Sequence, residues 1–215
     1  MLTVLYHMML ELDPGKRKAR YGDLDYDLEH SVNTTRSNVA FKTQLTAALA
    51  GHLYFATEPY LFAEIMQALT ADLREFTFVD LGSGKGRVLL MASGCPFRRI
   101  VGVEFLRELH ESAMENIARY SSERQQCRNI ESICMDARDF EFPPGPLVVY
   151  MFNALPEPVF VNVLENLRRS LHTNPRPIFV CYRYLEFEQL LKECDWLEKI
   201  NGTAHWAVYE NRVIW

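Results

Sequence analysis

No apolar run in this chain approaches the ~20 residues needed to cross a bilayer as a helix, so there is no candidate membrane span. Residues 1–10 are apolar but lack a basic flank and a small-residue cleavage site, and read as a helix that packs on the body. There are five cysteines, at Cys95, Cys127, Cys134, Cys181 and Cys194, without a Cys-x-x-Cys pair or a Cys/His cluster. That excludes a disulfide framework and a structural zinc site, and points to a reducing, cytoplasmic setting. A basic excess is also missing: 23 Lys and Arg stand against 28 Asp and Glu, a net charge of −5. A general nucleic-acid binder would show the opposite balance, although a local basic groove stays open. Internal repeats, low-complexity tracts and linkers are absent too, and 215 residues suit one domain with a real core.

What is present is organised around residues 76–90. An apolar, β-branched run over 76–81 leads into Gly82, Gly84 and Gly86, and Arg87-Val-Leu-Leu then opens a buried helix. Such glycines permit positive φ and let a ligand approach the backbone. Free amides and the helix dipole favour an anionic group there. Three glycine loops compete. The phosphate-binding loop of nucleotide hydrolases fails, because Val79 and Gly86 stand where it needs Gly and Ser/Thr. The dinucleotide fingerprint Gly-x-Gly-x-x-Gly meets Arg87 or Leu89 where its third glycine belongs, and is weakened. Asp80-x-Gly82-x-Gly84-x-Gly86 fits the third pattern at every fixed position. It resembles the first motif of class I S-adenosylmethionine-dependent methyltransferases. The alternative is a tight strand–helix turn that needs glycine for geometry alone.

Residues 1–70 read as a helical extension, with helices over 38–50 and 59–69. Leu61, Phe62, Ile65, Met66 and Leu69 fall on one face of the second helix. The basic run Lys16 to Arg20 and the acidic stretch 23–29 read as a solvated face, with substrate contact as the alternative. Strands are expected at 76–81, 99–105, within 129–137, at 146–152 and at 177–182. Helices fall between them at 86–93, 106–120, 157–171 and 185–194, the second with Leu106, Leu109, Ala113, Ile117 and Tyr120 inward. Two strands at 196–200 and 205–209 flank Asn201-Gly-Thr as a turn. Alternating strands and helices imply right-handed crossovers and a parallel sheet covered on both faces. The expected fold is α/β: a Rossmann-like three-layer sandwich on a mostly parallel seven-stranded sheet, with an antiparallel C-terminal hairpin and the N-terminal helical extension. The domain reading is a single unit over 1–215, with 71–215 as the cofactor-binding core.

In such a sheet the ligand lies beyond the carboxyl ends of the strands. Asp80 ends the first strand. Glu104 ends the second, 24 residues later, where it can accept ribose hydroxyls; an ordinary surface Glu is the alternative. The methyltransferase resemblance implies more. An acidic residue at the third strand's end takes the adenine amine and the next N–H meets a ring nitrogen, which matches Asp136 and Ala137. It also places Ser83 and Phe105 beside the cofactor. At the fourth strand's end Asn153 either holds the acceptor through its carbonyl oxygen or caps the next helix. Asn-Ala-Leu-Pro there departs from the Asn/Asp-Pro-Pro-aromatic of some amino-group methyltransferases, which argues against nucleobase amines.

The resemblance spans residues 76–210. More narrowly, Tyr54-x-x-Thr57-x-Pro59-Tyr60 ahead of Val79-Asp-Leu-Gly-Ser-Gly-Lys-Gly-Arg-Val88 resembles bacterial class I methyltransferases of unassigned substrate. It is more distantly similar to seven-strand histone-lysine and mitochondrial protein-lysine enzymes. By that likeness Tyr54, Thr57 and Tyr60 line the pocket; core packing is the alternative. The implied cofactor is S-adenosyl-L-methionine and no metal is implied. The acceptor is then a protein lysine or a small molecule ahead of RNA, and no dedicated general base is required. Glu58 is a candidate to orient an acceptor amine, or else a helix-start carboxylate. A nicotinamide-dependent oxidoreductase and a catalytically silent binding module are the rival readings. The oligomeric state is not legible.

Overall fold

The computed structural model describes residues 24–35, 56–152 and 155–212. The helices expected over 1–10 and 38–50, together with Tyr54 and Asn153, lie outside the described residues. Seven strands form one sheet: β1 Thr77–Leu81, β2 Arg99–Glu104, β3 Ile130–Cys134, β4 Leu147–Phe152, β5 Ile178–Arg183, β6 Leu197–Gly202 and β7 Trp206–Asn211. Their spatial order is β3-β2-β1-β4-β5-β7-β6. The first five pair in parallel, while β7 runs antiparallel to β5 and β6. Helices α1 Leu24–Glu29, α2 Pro59–Gln67, α3 Arg87–Ala92, α4 Arg107–Arg119, α5 Glu157–Thr173 and α6 Glu188–Lys192, with 3₁₀ turns at Leu73–Glu75 and Ala137–Asp139, complete the described elements. The expected α/β architecture with its antiparallel C-terminal hairpin is what is found.

Alternation along the strands divides the core. Val79, Leu81, Val101, Val103, Val149, Met151 and Val180 pack with Phe160, Val163 and Leu167 of α5. Phe78, Ile100, Val148, Tyr150 and Phe179 pack on the other face with Phe62 and Ile65 of α2 and Val88 and Leu89 of α3. Successive side chains of a strand point to opposite faces, so one apolar run supplies both layers. The sheet edges are less apolar. β3 is half-buried, and beyond Leu197 the edge strand β6 is exposed and carries Glu198 and Lys199, charges that discourage edge-to-edge pairing.

Several boundaries and roles differ from expectation. Residues 201–202 belong to β6, not to the turn, because the strand slips register between Lys199 and Asn201 and gains a residue. α6 begins only at Glu188, since Tyr184 takes a left-handed φ of 70° and the Phe187 amide bonds to the Tyr182 hydroxyl. On α4, Leu109 and Ala113 are buried as expected, but the third buried residue is Asn116, and Leu106, Ile117 and Tyr120 are only half-buried. The acidic stretch is not wholly a solvated face. Asp27 accepts hydrogen bonds from the amides of Thr34 and Thr35 at 2.9 and 2.8 Å, and folds residues 24–35 into a closed turn.

The sheet positions the site through one close approach. Gly102 in β2 lies under the glycine loop, where an added Cβ would sit 2.6 Å from Leu89 Cδ1 and 2.8 Å from Ser83 Cβ. Glycine inside a strand marks such an approach. Gly102→Ala is therefore expected to lower stability by about 1–3 kcal/mol, the usual range for overpacking. A urea midpoint that falls with an unchanged slope would register it; an unchanged midpoint would contradict this packing.

Candidate cofactor and active site

The chain leaves β1 through three left-handed glycines, with φ of 80° at Gly82, 54° at Gly84 and 83° at Gly86. These angles are what the every-second-residue spacing serves, since other residues enter this region at a cost. The turn is then pinned by its own amides. Gly82 and Ser83 donate to the Val103 carbonyl at 2.8 and 3.1 Å, and Gly86 donates to the Ser83 carbonyl at 2.8 Å. Gly84 donates to Glu104 Oε2 at 2.8 Å. The loop therefore spends much of its hydrogen-bonding capacity on holding its shape. α3 has only six residues, so the helix dipole adds little to the expected anion cradle.

Two carboxylates meet here. Asp80 is 3% exposed and Glu104 6% exposed, at the ends of adjacent strands. Burial, then the charge of Glu104, pushes the Asp80 carboxyl well above its ordinary range. Burial also raises Glu104, against the opposing effect of backbone N–H donors. Besides Gly84, Glu104 accepts the Leu106 amide on Oε1 at 2.8 Å. With the Phe105 amide also acting on this carboxylate, Glu104 keeps lone-pair capacity for a further donor.

A cleft of about 310 Å³, its open mouth included, lies at the carboxyl ends of β1 and β4, the switch point of the sheet. Ala56, Thr57, Asp80, Gly82, Ser83 and Arg87 form part of its wall, with Val88, Tyr150 and Phe152. Ser83 Oγ is buried there without a hydrogen-bond partner. The Thr57 hydroxyl is buried and lies 3.0 Å from the Tyr150 hydroxyl, so Thr57 both lines the cleft and packs.

The remaining sequence candidates are spread along the same edge. Asp136 caps a short turn of 3₁₀ helix and binds Arg138 through its amide at 2.9 Å and its guanidinium at 2.7 Å. Those contacts hold its carboxyl below the usual range. Ala137 is buried beside it, whereas Phe105 is 69% exposed. Tyr60 is 63% exposed on α2 and does not line the cleft. Glu58 precedes α2 without capping it through its side chain. It pairs instead with Arg183 at 2.5 Å, and the Arg183 guanidinium lies 3.9 Å over the Phe152 ring. Sequence reasoning missed Arg183, Tyr150, Arg87 and Gly102. Only Gly102 carried a local signal, a glycine within an apolar strand run.

Among the described residues no His/Cys/Asp/Glu group could hold a metal, and no helix is long and apolar enough to cross a membrane. All five cysteines are free thiols. The residues fit the cofactor expected from the motif. An orphaned hydroxyl, two buried carboxylates and a glycine turn share one strand edge, and suit a ligand carrying both cationic and hydroxyl groups.

Comparison with known proteins agrees. A family model described as a methyltransferase domain matches residues 78–174. No curated protein matches in sequence. Among solved structures, the chain is similar to a precorrin-6y C5,15-methyltransferase of Geobacter metallireducens, with a TM-score of 0.53, 15% identity, and 73% of this chain and 90% of that one covered. It is also similar to the 23S rRNA methyltransferase ErmE, with a TM-score of 0.51, 16% identity, and coverage of 75% and 70%. At these identities the likeness shows the shared fold. The family model lies over the strand, glycine turn and following strands that build the cleft, so residues 78–174 match a methyltransferase domain.

Proposed function

We propose that the chain transfers a methyl group from S-adenosyl-L-methionine to a nucleophile of a protein lysine or a small molecule, entering past Phe152. The carrying observation is the pair of buried carboxylates, Asp80 and Glu104, against a left-handed glycine turn whose shape is already fixed. The cofactor supplies a methyl carbon activated by a sulfonium. The protein's task is then alignment and exclusion of water. Asp80 holds the cationic methionyl end, and Ser83 Oγ meets a cofactor polar group. Glu104 accepts ribose hydroxyls, while Asp136 and the Ala137 amide serve the adenine with Phe105 against its ring. Thr57 closes the methionyl side, with Tyr54 from the same segment, while Tyr60 stays outside the cleft.

On the acceptor side stand Glu58 and Asn153. The Glu58 carboxylate is matched in charge by Arg183, so it orients an acceptor as part of an ion pair and does not serve as a free base. Glu58→Gln and Arg183→Lys are each expected to lower kcat/KM while leaving S-adenosylhomocysteine affinity unchanged. Equal loss of cofactor affinity would place the pair in the cofactor site. The acceptor's class is found by incubating source-cell extract with the protein and labelled S-adenosylmethionine. Label in protein or small molecules supports this reading, and label confined to nucleic acid overturns its acceptor side.

The cofactor side has its own tests. Calorimetry is expected to show S-adenosylhomocysteine binding, lost in Gly84→Val and Asp80→Ala with the fold intact. A β-branched residue does not tolerate the φ of 54° at position 84. NAD(H) binding without any response to S-adenosylhomocysteine would contradict the proposal. Binding should also depend on pH. The raised Asp80 carboxyl must ionise to meet a cationic group, so affinity falls as pH drops through a window above the ordinary carboxylate range. Asp80→Asn removes the Asp80 share of that titration and leaves only that of Glu104, which burial also raises; a wild-type profile that is flat there would exclude Asp80 as the partner.

A further inference from the structure

Residues 26–35 are joined to the glycine loop by a buried polar network that neither the motif nor the fold requires. After α1 the chain turns back at Ser31, which has a φ of 55°, and brings Asn33, Thr34 and Thr35 beside residues 85–87. Besides a contact of Lys85 Nζ with Asn33 Oδ1 at 3.5 Å, two sets of ties among the described residues cross between them. In the first, Arg87 donates through Nε to Thr34 Oγ1 at 2.6 Å, and through one terminal nitrogen to Asp27 Oδ1 at 3.2 Å and to the Thr35 hydroxyl. Its guanidinium also lies 5.1 Å over the Tyr26 ring. Thr34 Oγ1 in turn donates to Asp27 at 2.5 Å, so one hydroxyl both accepts and donates. In the second, the buried Asn116 amide of α4 accepts the Asn33 N–H at 2.9 Å and donates to the carbonyls of Asn33 at 3.1 Å and Lys85 at 2.9 Å.

The anchored residues, Lys85 and Arg87, flank Gly86, the last left-handed position of the turn. Thr34 and Lys85 are fully buried, and Arg87 and Asn116 are 3% and 2% exposed. Arg87 also forms part of the cleft wall. One side chain thus belongs both to the cleft and to the segment packed behind it. Glycines give the loop its required angles and leave it the freedom to depart from them. Ties on both sides of Gly86 remove that freedom before any ligand arrives, which lowers the ordering cost of binding. Linkage is reciprocal, so a ligand that needs the ordered loop stabilises the segment in return.

We propose that residues 26–35 form a strap that sets the glycine loop, with Arg87 as the positioning residue that couples strap to cofactor site. The cofactor half of this statement rests on the methyltransferase reading; the strap–loop half does not. Hydrogen exchange and calorimetry on the full chain test both, using Asp27→Asn and the gentler pair Thr35→Val and Thr35→Ser. In ligand-free protein, Asp27→Asn and Thr35→Val are expected to speed amide exchange over residues 82–87 while exchange in α5 is unchanged, and Thr35→Ser to restore the slow rate. S-adenosylhomocysteine affinity should fall about tenfold in the first two variants, a typical coupling. In the wild type the ligand should slow exchange over residues 26–35, none of which lines the cleft. Loop exchange identical to wild type in folded Asp27→Asn and Thr35→Val would overturn the proposal. A wild type that binds no S-adenosylhomocysteine refutes the methyltransferase reading instead, and leaves the ligand-free exchange to decide the strap.

Discussion

The glycine turn after β1 takes its shape first from the second strand, which receives it. The Val103 carbonyl accepts two of the turn's amides, and Glu104, the next residue, accepts a third. Gly102, the residue before, leaves the space in which Ser83 packs. Three consecutive residues of one strand thus serve as hydrogen-bond acceptor, charged acceptor and clearance for a loop twenty residues earlier. Because β1 and β2 pair in parallel with Asp80 beside Gly102, this contact also brings both carboxylates to the same edge. The cleft, its acidic character and the start of α3 all follow.

Burying two carboxylates side by side is costly, and the raised titration of both records it. A fold that accepts this cost needs rigidity elsewhere, and the sheet supplies it through strands that are apolar on both faces. The network behind the loop has the same economy. An isolated buried guanidinium would be destabilising, but Arg87 meets Asp27, Thr34 and Thr35 together. Removing one partner of such a pair costs ~3–5 kcal/mol in well-studied cases, so strap and loop are held as a unit.

Much of the fold was legible because its signals are local. Apolar runs of strand length alternate with helical periodicity, and the motif Asp80-x-Gly82-x-Gly84-x-Gly86 states its backbone angles almost outright. The order of strand ends then placed Glu104 and Asp136 along one edge. What escaped was pairing at long range. Asp27 looked like one of several solvated acids, and nothing near it in sequence announces Arg87, sixty residues away. Glu58 and Arg183 are more distant still. Asn116 sits where an apolar residue would continue the face of α4, and a periodicity argument passes over it. The slipped register of β6 is a backbone irregularity that its side chains do not signal.

The central claim is that the cleft at the ends of β1 and β4 holds S-adenosylmethionine in a preformed turn. A crystal structure with S-adenosylhomocysteine tests it most directly. The account predicts ligand density between Thr57, Asp80 and Ser83, ribose hydroxyls on Glu104, and glycine-turn φ angles that keep their present sign. Ligand bound away from this edge, or a turn rebuilt to receive it, would contradict the account.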